Sequence, residues 1–206
     1  MEGFIASWYA RQTAHDSEEF QRTARRIAAH LNSGSRVLEI APGPGYLAIA
    51  LARLTGGRVS GIDISRSFVR IAGENARNAG VRVDFEHGDA ADLPFPDNQF
   101  DFIVCRAAFK NFTRPLVALN EMHRVLKPGG TALIIDLRKD FSPRAINDYV
   151  KDRGLFNAAI IKLTFHTMLK KRAYTRETMA ELVSQSTFGQ GEIRLDPIGF
   201  EAWLHK

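Results

Sequence analysis

The sequence predicts an α/β fold: a doubly wound, mostly parallel seven-stranded sheet with helices on both faces and an antiparallel last strand. Three observations predict it. Short runs rich in Val, Ile and Leu alternate with amphipathic helical segments over most of the chain. Those runs are apolar at nearly every position, as in strands covered on both faces of a parallel sheet. Near its end the chain reads "QGEIRLDPIGFEAWL", two β-rich runs with Asp196-Pro197 between them, a hairpin that closes a sheet edge.

Each element has a local reason. Asp16 and Glu19 form a capping-box pair that opens a helix through Phe20, Ala24, Ile27, Ala28 and Leu31. "SRVLEIA" (35–41) is the first strand, and the helix after its glycine loop begins near Tyr46. "GRVSGIDI" (57–64) is the second strand. Ser65 caps the next helix, whose Phe68, Val69, Ile71, Ala72 and Ala76 recur at helical spacing, and Gly80 ends it. "VRVDFEHGD" (81–89) and "FDFIVCRAA" (100–108) are the third and fourth strands. A helix runs from Arg114-Pro115, with proline in its first turn, to Leu126; Leu116, Leu119, Met122, His123 and Leu126 share a face. "KPGG" (127–130) is a turn and "TALIIDL" (131–137) the fifth strand. A largely helical insertion covers 142–176, a helix spans Thr175 to Ser186, and strands near 190–196 and 198–204 complete the sheet.

A chain of 206 residues suits one domain. With 45% hydrophobic and 25% charged residues it is neither disordered nor fibrous. No stretch has the roughly 18 uninterrupted apolar residues of a membrane span, and the first twenty residues lack the apolar core of a signal peptide. One cysteine, Cys105, excludes an internal disulfide; it sits in the apolar run "FDFIVC" as a buried core residue, and a cytoplasmic location is expected. The net charge of +5 permits anionic partners, and much of the excess falls on Lys162, Lys170, Lys171, Arg172 and Arg176.

The loop "GPGYLA" (43–48) fits the relaxed dinucleotide fingerprint G-x-G-x-x-G/A, with Asp63 twenty residues after Gly43. Gly43 and Gly45 would let a ligand approach the backbone at the carboxyl end of the first strand. Two residues argue against a diphosphate. Glu39 precedes the loop, and a carboxylate repels an anion while attracting an ammonium or sulfonium. Pro44 removes one loop N–H that an anion would need. A zwitterionic amino-acid moiety suits the loop better.

"VLEIAPGPGYLAIALA", "VSGIDIS", "VDFEHGDAADLPFPDNQFDFIVC" and "HRVLKPGG" together resemble the class I S-adenosylmethionine-dependent methyltransferases, in particular the branch of small-molecule and quinone methylating enzymes. The resemblance covers residues 35–138. It implies a single methyltransferase domain over 1–206, with 1–34 as an N-terminal lid helix region and 142–176 as a substrate cap. Glu39 and the backbone of Ala41, Pro42, Gly43 and Gly45 would hold the methionine portion of S-adenosyl-L-methionine, the product being S-adenosyl-L-homocysteine. Asp63 would accept both ribose hydroxyls, Ile64 would flank the adenine, Asp89 with Ala90 would read its edge, and Arg106 would lie by the reactive centre. No metal enters this scheme. Ala41 and Pro42 stand where Gly and Cys are frequent in the family. Read singly, Asp63 is a charge at a helix N-terminus and Asp89 a turn residue.

Methyl transfer needs nucleophile and methyl held in line in a dry pocket. Tyr9, Tyr46 and Phe109 are candidate aromatic faces for the positive sulfur. A general base is unassigned; His166, His15 and Tyr174 are the candidates, although His166 equally suits a packed helix edge, and His87 and His123 read as structural. The fourth strand ends in "CRAAFKNF", unlike the Asn/Asp-Pro-Pro-Tyr/Phe sequence of enzymes that methylate amines of bases and glutamine. The apolar and basic insertion suits a small acceptor, apolar or anionic, with at most peripheral membrane contact. Nucleic acid is disfavoured because no aromatic residues interleave the basic cluster. An RNA methyltransferase, a nicotinamide-dependent oxidoreductase and a non-catalytic cofactor-binding protein are the alternative readings.

Overall fold

The computed structural model describes residues 2–13, 17–151 and 172–206. Its strands are β1 (Arg36–Ile40), β2 (Arg58–Asp63), β3 (Asp84–His87), β4 (Phe100–Arg106), β5 (Leu126–Leu137), β6 (Glu192–Leu195) and β7 (Gly199–His205). They form one seven-stranded sheet in the order β3-β2-β1-β4-β5-β7-β6. β1 through β5 pair in parallel, and β7 runs antiparallel to both β5 and β6. The strand order reverses between β1 and β4, where Ile40 lies opposite Cys105. A crevice opens outside the strand ends at such a reversal.

The described helices are α1 (Gly3–Thr13), α2 (Ser17–Ala28), α3 (Tyr46–Thr55), α4 (Arg66–Asn78), α5 (Pro115–Val125), α6 (Pro143–Val150) and α7 (Arg176–Gln185). Alternate strand residues serve opposite layers. Leu38, Ile40, Ile103 and Cys105 pack with Leu119 and Met122 of α5 and Met179 and Val183 of α7. Val37, Phe102 and Val104 pack with Ala24 and Ile27 of α2 and Leu47 and Leu51 of α3. This two-sided burial explains the near-continuous apolar runs. No helix among the described residues is long and apolar enough to cross a membrane.

Several boundaries depart from the expectations. β3 is shorter than 81–89, because Val81 N–H donates to Ala76 O and so closes the end of α4 instead of joining the sheet. "KPGG" is a bulged start of β5 rather than a separate turn: Gly129 has φ +78°, and the β4–β5 register shifts between Phe100 and Phe102. α2 is shorter than the expected helix, ending at Ala28, and Asp16 of its capping box lies outside the described residues. Of the insertion, α6 is described, and 152–171 lies outside the described residues. α1 is an additional helix, packing Ala6 and Ala10 against Phe68 and Ile71 of α4.

Candidate active site

A cleft of about 260 Å³ lies at the reversal point. Its floor is the ends of β1 and β4 (Glu39, Ile40, Arg106), and one wall is the loop Ala41–Pro44 with Asp63 and Ile64. Gly88 to Ala91 and Asn111 to Arg114 form the opposite wall, and Thr13, Phe20, Tyr46 and Phe68 line the remainder. Of the ten cofactor residues expected from the sequence, Glu39, Ala41, Pro42, Gly43, Asp63, Ile64, Asp89, Ala90 and Arg106 line this cleft; Gly45 does not.

The two glycines differ in function. Gly43 has φ +54°, and a Cβ there would meet nothing within 4 Å, so the open space of the cleft begins at its backbone. Gly45 has φ +80°, and a Cβ would lie 2.7 Å from Phe85 Cζ and 2.9 Å from Ala72 Cβ. Its absence of a side chain therefore lets α3 start against β3 and α4 and does not make room for a ligand. Gly45→Ala should lower unfolding stability by about 2–3 kcal/mol, from overpacking plus a left-handed backbone. Urea denaturation measures this, and a loss below about 0.5 kcal/mol would refute the packing role. Ala41 also has φ +55°. Glycine would be unstrained there, so alanine costs about 1–2 kcal/mol.

Glu39 is buried, and its Oε2 has no hydrogen-bond partner among the described residues. Burial pushes its carboxyl up to about 8; the Ala48 amide in the first turn of α3 and the Arg106 charge offset this in part, and Asp63 adds to it. At neutral pH the cleft thus presents a largely neutral acid. The attraction for a cation that the sequence suggested is not a standing charge, and the repulsion expected against a diphosphate is correspondingly smaller. A donor or an ammonium placed at Oε2 would satisfy the orphaned atom and favour ionisation.

Asp63, also buried, ends β2. Its Oδ2 accepts from Gly43 N–H (3.0 Å) and its Oδ1 from Ser65 N–H (2.8 Å). It therefore fixes the glycine loop and the start of α4, where Ser65 Oγ accepts from Phe68 N–H at 3.2 Å. Burial raises its carboxyl above the usual range, opposed by those two amides. A carboxylate oxygen accepts two hydrogen bonds, so each keeps one free site for a hydroxyl. Asp89 Oδ1 accepts from Ala91 N–H (2.9 Å), which holds its carboxyl low, and Oδ2 pairs with Arg114 Nη2 at 2.8 Å. Ile64 is 66% exposed, an apolar shelf beside Asp63.

Arg106 ends β4. Its Nη2 donates to Glu19 Oε1 of α2 at 2.5 Å, and its guanidinium carbon stands 4.6 Å from the Phe20 ring centroid. Phe20 lies 5.6 Å from the Tyr46 ring, whose hydroxyl donates to Ala10 O at 3.0 Å. Thus α1 and α2 both close over the cleft. Phe109 does not reach it: it is fully buried against Phe112 and Tyr174, in the core rather than the wall. Phe20, Phe68 and Phe112 supply the aromatic faces instead, together with Tyr46. The Tyr9 side chain, His15 and His166 lie outside the described residues. Tyr174 is described but is not in the lining, and burial raises its hydroxyl, which makes it a poorer acid at neutral pH.

A buried ion pair braces the β4 side. Lys110 Nζ donates to Asp136 Oδ1 (2.8 Å) and Ala107 O (2.6 Å), while Lys110 N–H donates to Asp136 Oδ2 (2.8 Å). The pair holds the single 3₁₀ turn Phe109–Asn111 and Ala107, whose φ is +59°. Neither residue carries a sequence signal of this role, because they are 26 residues apart, Lys110 in the turn after β4 and Asp136 near the end of β5.

Comparison with known proteins agrees with this geometry. Residues 38–134 match the model of a methyltransferase domain. The chain is 38% identical over 132 residues to a 2-phytyl-1,4-naphtoquinone methyltransferase of Synechococcus elongatus, covering 61% of this chain and 57% of that protein. It is 39% identical over 117 residues to a ubiquinone/menaquinone biosynthesis C-methyltransferase of Neisseria meningitidis, covering 56% and 48%. The chain thus spans about half the length of the curated relatives it matches. A crystal structure of a SAM-dependent methyltransferase from Aquifex aeolicus shares the fold, with a TM-score of 0.67, 20% identity and 91% and 97% of the two chains covered.

Proposed function

We propose that the chain is a class I S-adenosylmethionine-dependent methyltransferase and that it methylates a small, apolar acceptor of quinone-like chemistry. The observation that carries the reading is the convergence of Glu39, Asp63 and Asp89, from three different strand ends, on one cleft lined by aromatic rings. These residues fit the cofactor. The orphaned Glu39 oxygen calls for a donor such as an ammonium, and the two half-filled oxygens of Asp63 match a pair of vicinal hydroxyls.

In this scheme Glu39 and the backbone of Ala41 to Gly43 hold the amino-acid end, Asp63 the ribose, and Ile64 the adenine face. Asp89 and Ala90 meet the adenine edge. When bound, the cofactor supplies an electrophilic methyl on a sulfonium, leaving as the thioether S-adenosyl-L-homocysteine. The protein's part is to orient and to exclude water: Phe20, Tyr46 and Phe112 wall the acceptor end, and their faces favour a nearby positive charge. The carboxylates among the described lining residues all sit at the cofactor end.

The test is thermal stabilisation by S-adenosyl-L-homocysteine, with NADH and RNA as controls. Asp63→Ala and Asp89→Ala should each weaken binding by roughly ten- to a hundredfold, as for hydrogen bonds to charged groups. Asp63→Ala should also cost about 1–2 kcal/mol of stability, since the Gly43 and Ser65 amides lose their acceptor. Asp89→Ala should cost little, because its partner Arg114 is exposed. Wild-type affinity in both variants by calorimetry would remove the assignment, and stabilisation by NADH alone would restore the nicotinamide reading.

A further inference from the structure

Glu39 and Arg106 stand on the same side of the sheet. In the β1–β4 register Glu39 lies opposite Val104, so Arg106, two residues on, points to the same face. One is a buried acid with an unsatisfied oxygen; the other is a guanidinium in the cleft lining. An acid and a guanidinium side by side complement the ammonium and carboxylate of an α-amino acid, which are held a few bonds apart.

Yet the guanidinium is already engaged. Glu19 reaches it from the first turn of α2, 87 residues earlier in the chain, and no strand ladder or core contact requires that pairing. Arg106 is 17% exposed at its side chain and Glu19 42%, so the contact sits at the edge of the cleft where a ligand enters. Glu19 Oε1 is the atom that accepts from Arg106. Its carboxylate has the charge and the planar two-oxygen shape of an amino acid's carboxylate.

We propose that Glu19 holds the place of the cofactor's own carboxylate: on loading, the amino-acid end takes Arg106 and Glu39 together and Glu19 is displaced. This rests on the methyltransferase reading and adds to it a residue exchange. Arg106 is then a cofactor-carboxylate receptor rather than a group facing the acceptor. Releasing Glu19 removes the ion pair between the first turn of α2 and β4 and leaves the Phe20 ring as the contact of that turn with Arg106.

The test is calorimetry at pH 7.5 with two probes, S-adenosyl-L-homocysteine and its decarboxylated analogue, on the full chain. Arg106→Gln should weaken the carboxylated probe roughly ten- to a hundredfold, as expected for a charged hydrogen-bonded pair, and leave the analogue within about twofold. Arg106→Lys should recover part of that loss. Glu19→Gln removes the competitor and should strengthen the carboxylated probe severalfold without moving the analogue. Equal losses for both probes in Arg106→Gln would mean a merely structural arginine and overturn the exchange. No loss for either would mean that Arg106 faces the acceptor, and would overturn it too. If neither probe binds the wild type, the methyltransferase reading itself falls, and the exchange with it.

Discussion

Glu39→Gln should make the protein more stable at neutral pH and weaken its binding of S-adenosyl-L-homocysteine. The carboxyl is pushed from an ordinary value of 4.5 to about 8 in the folded chain, chiefly by burial. Its sign follows from linkage: a carboxyl raised in the folded state is protonated in both states below pH 4.5 and costs nothing there. Between that value and about 8 the unfolded chain ionises while the folded chain stays neutral, so stability falls as pH rises. Near pH 8 the penalty is on the order of 4 kcal/mol. Glutamine is a neutral stand-in of the same shape and escapes it. The melting temperature of Glu39→Gln should therefore match wild type near pH 4 and exceed it near pH 8 by roughly 8–16 °C. A melting-temperature difference independent of pH would show that Glu39 is not a raised acid.

The same variant reports on binding. A bound ammonium favours the ionised form of Glu39, so in the wild type the affinity for S-adenosyl-L-homocysteine should rise with pH and level off near 8. The slope approaches tenfold per pH unit at most. In Glu39→Gln the slope should vanish and affinity should be low throughout. Stability gained where a ligand is lost is the usual signature of a residue kept for binding rather than for folding.

The second large effect concerns the brace behind the cleft. Lys110→Met should destabilise the fold by about 3–5 kcal/mol, because it leaves the buried Asp136 side chain without its cation. Against a total of about 5–15 kcal/mol this is a large fraction. Asp136 also accepts from the Lys110 and Leu137 amides, at 2.8 Å and 2.7 Å, so an acceptor must stay at that position. Asp136→Asn in the Lys110→Met background keeps an acceptor and removes the charge, and should recover about half of the loss. Chemical denaturation of the single and double variants decides it: a single-variant cost below about 1 kcal/mol would mean that the pair does not brace the turn.

What the chain reveals before folding is what depends on neighbours in sequence. Ser65 as a cap, Gly80 as a helix stop, proline at the start of α5 and the two-sided apolar strands are all local and all hold. Nine cleft residues were legible because a strand delivers its last residues to one edge of the sheet, wherever the chain goes next. Contacts between distant segments were not legible. That Gly45 yields to Phe85 depends on how far α3 sits from β3, which no spacing encodes. The pairing of Glu19 with Arg106, 87 residues later, has no signal in the sequence around either residue. Among its described side chains α1 buries Ala6 and Ala10, whose small apolar signal does not stand out from "GFIASWYARQT". The neutral state of Glu39 depends on burial, so the residue type alone suggested a charge that the fold suppresses.

α2 is fastened differently at its two ends. Near its C-terminus Ala24 and Ile27 are buried, and Arg26 pairs with Glu201 of β7 at 2.5 Å. At its N-terminus the cleft-side fastening is one half-buried ion pair and the Phe20 ring. Core packing therefore holds the half of α2 from Ala24 onward, while side chains of the cleft hold its first turn, so the part of the helix that touches the cleft is also the part with the least buried apolar surface.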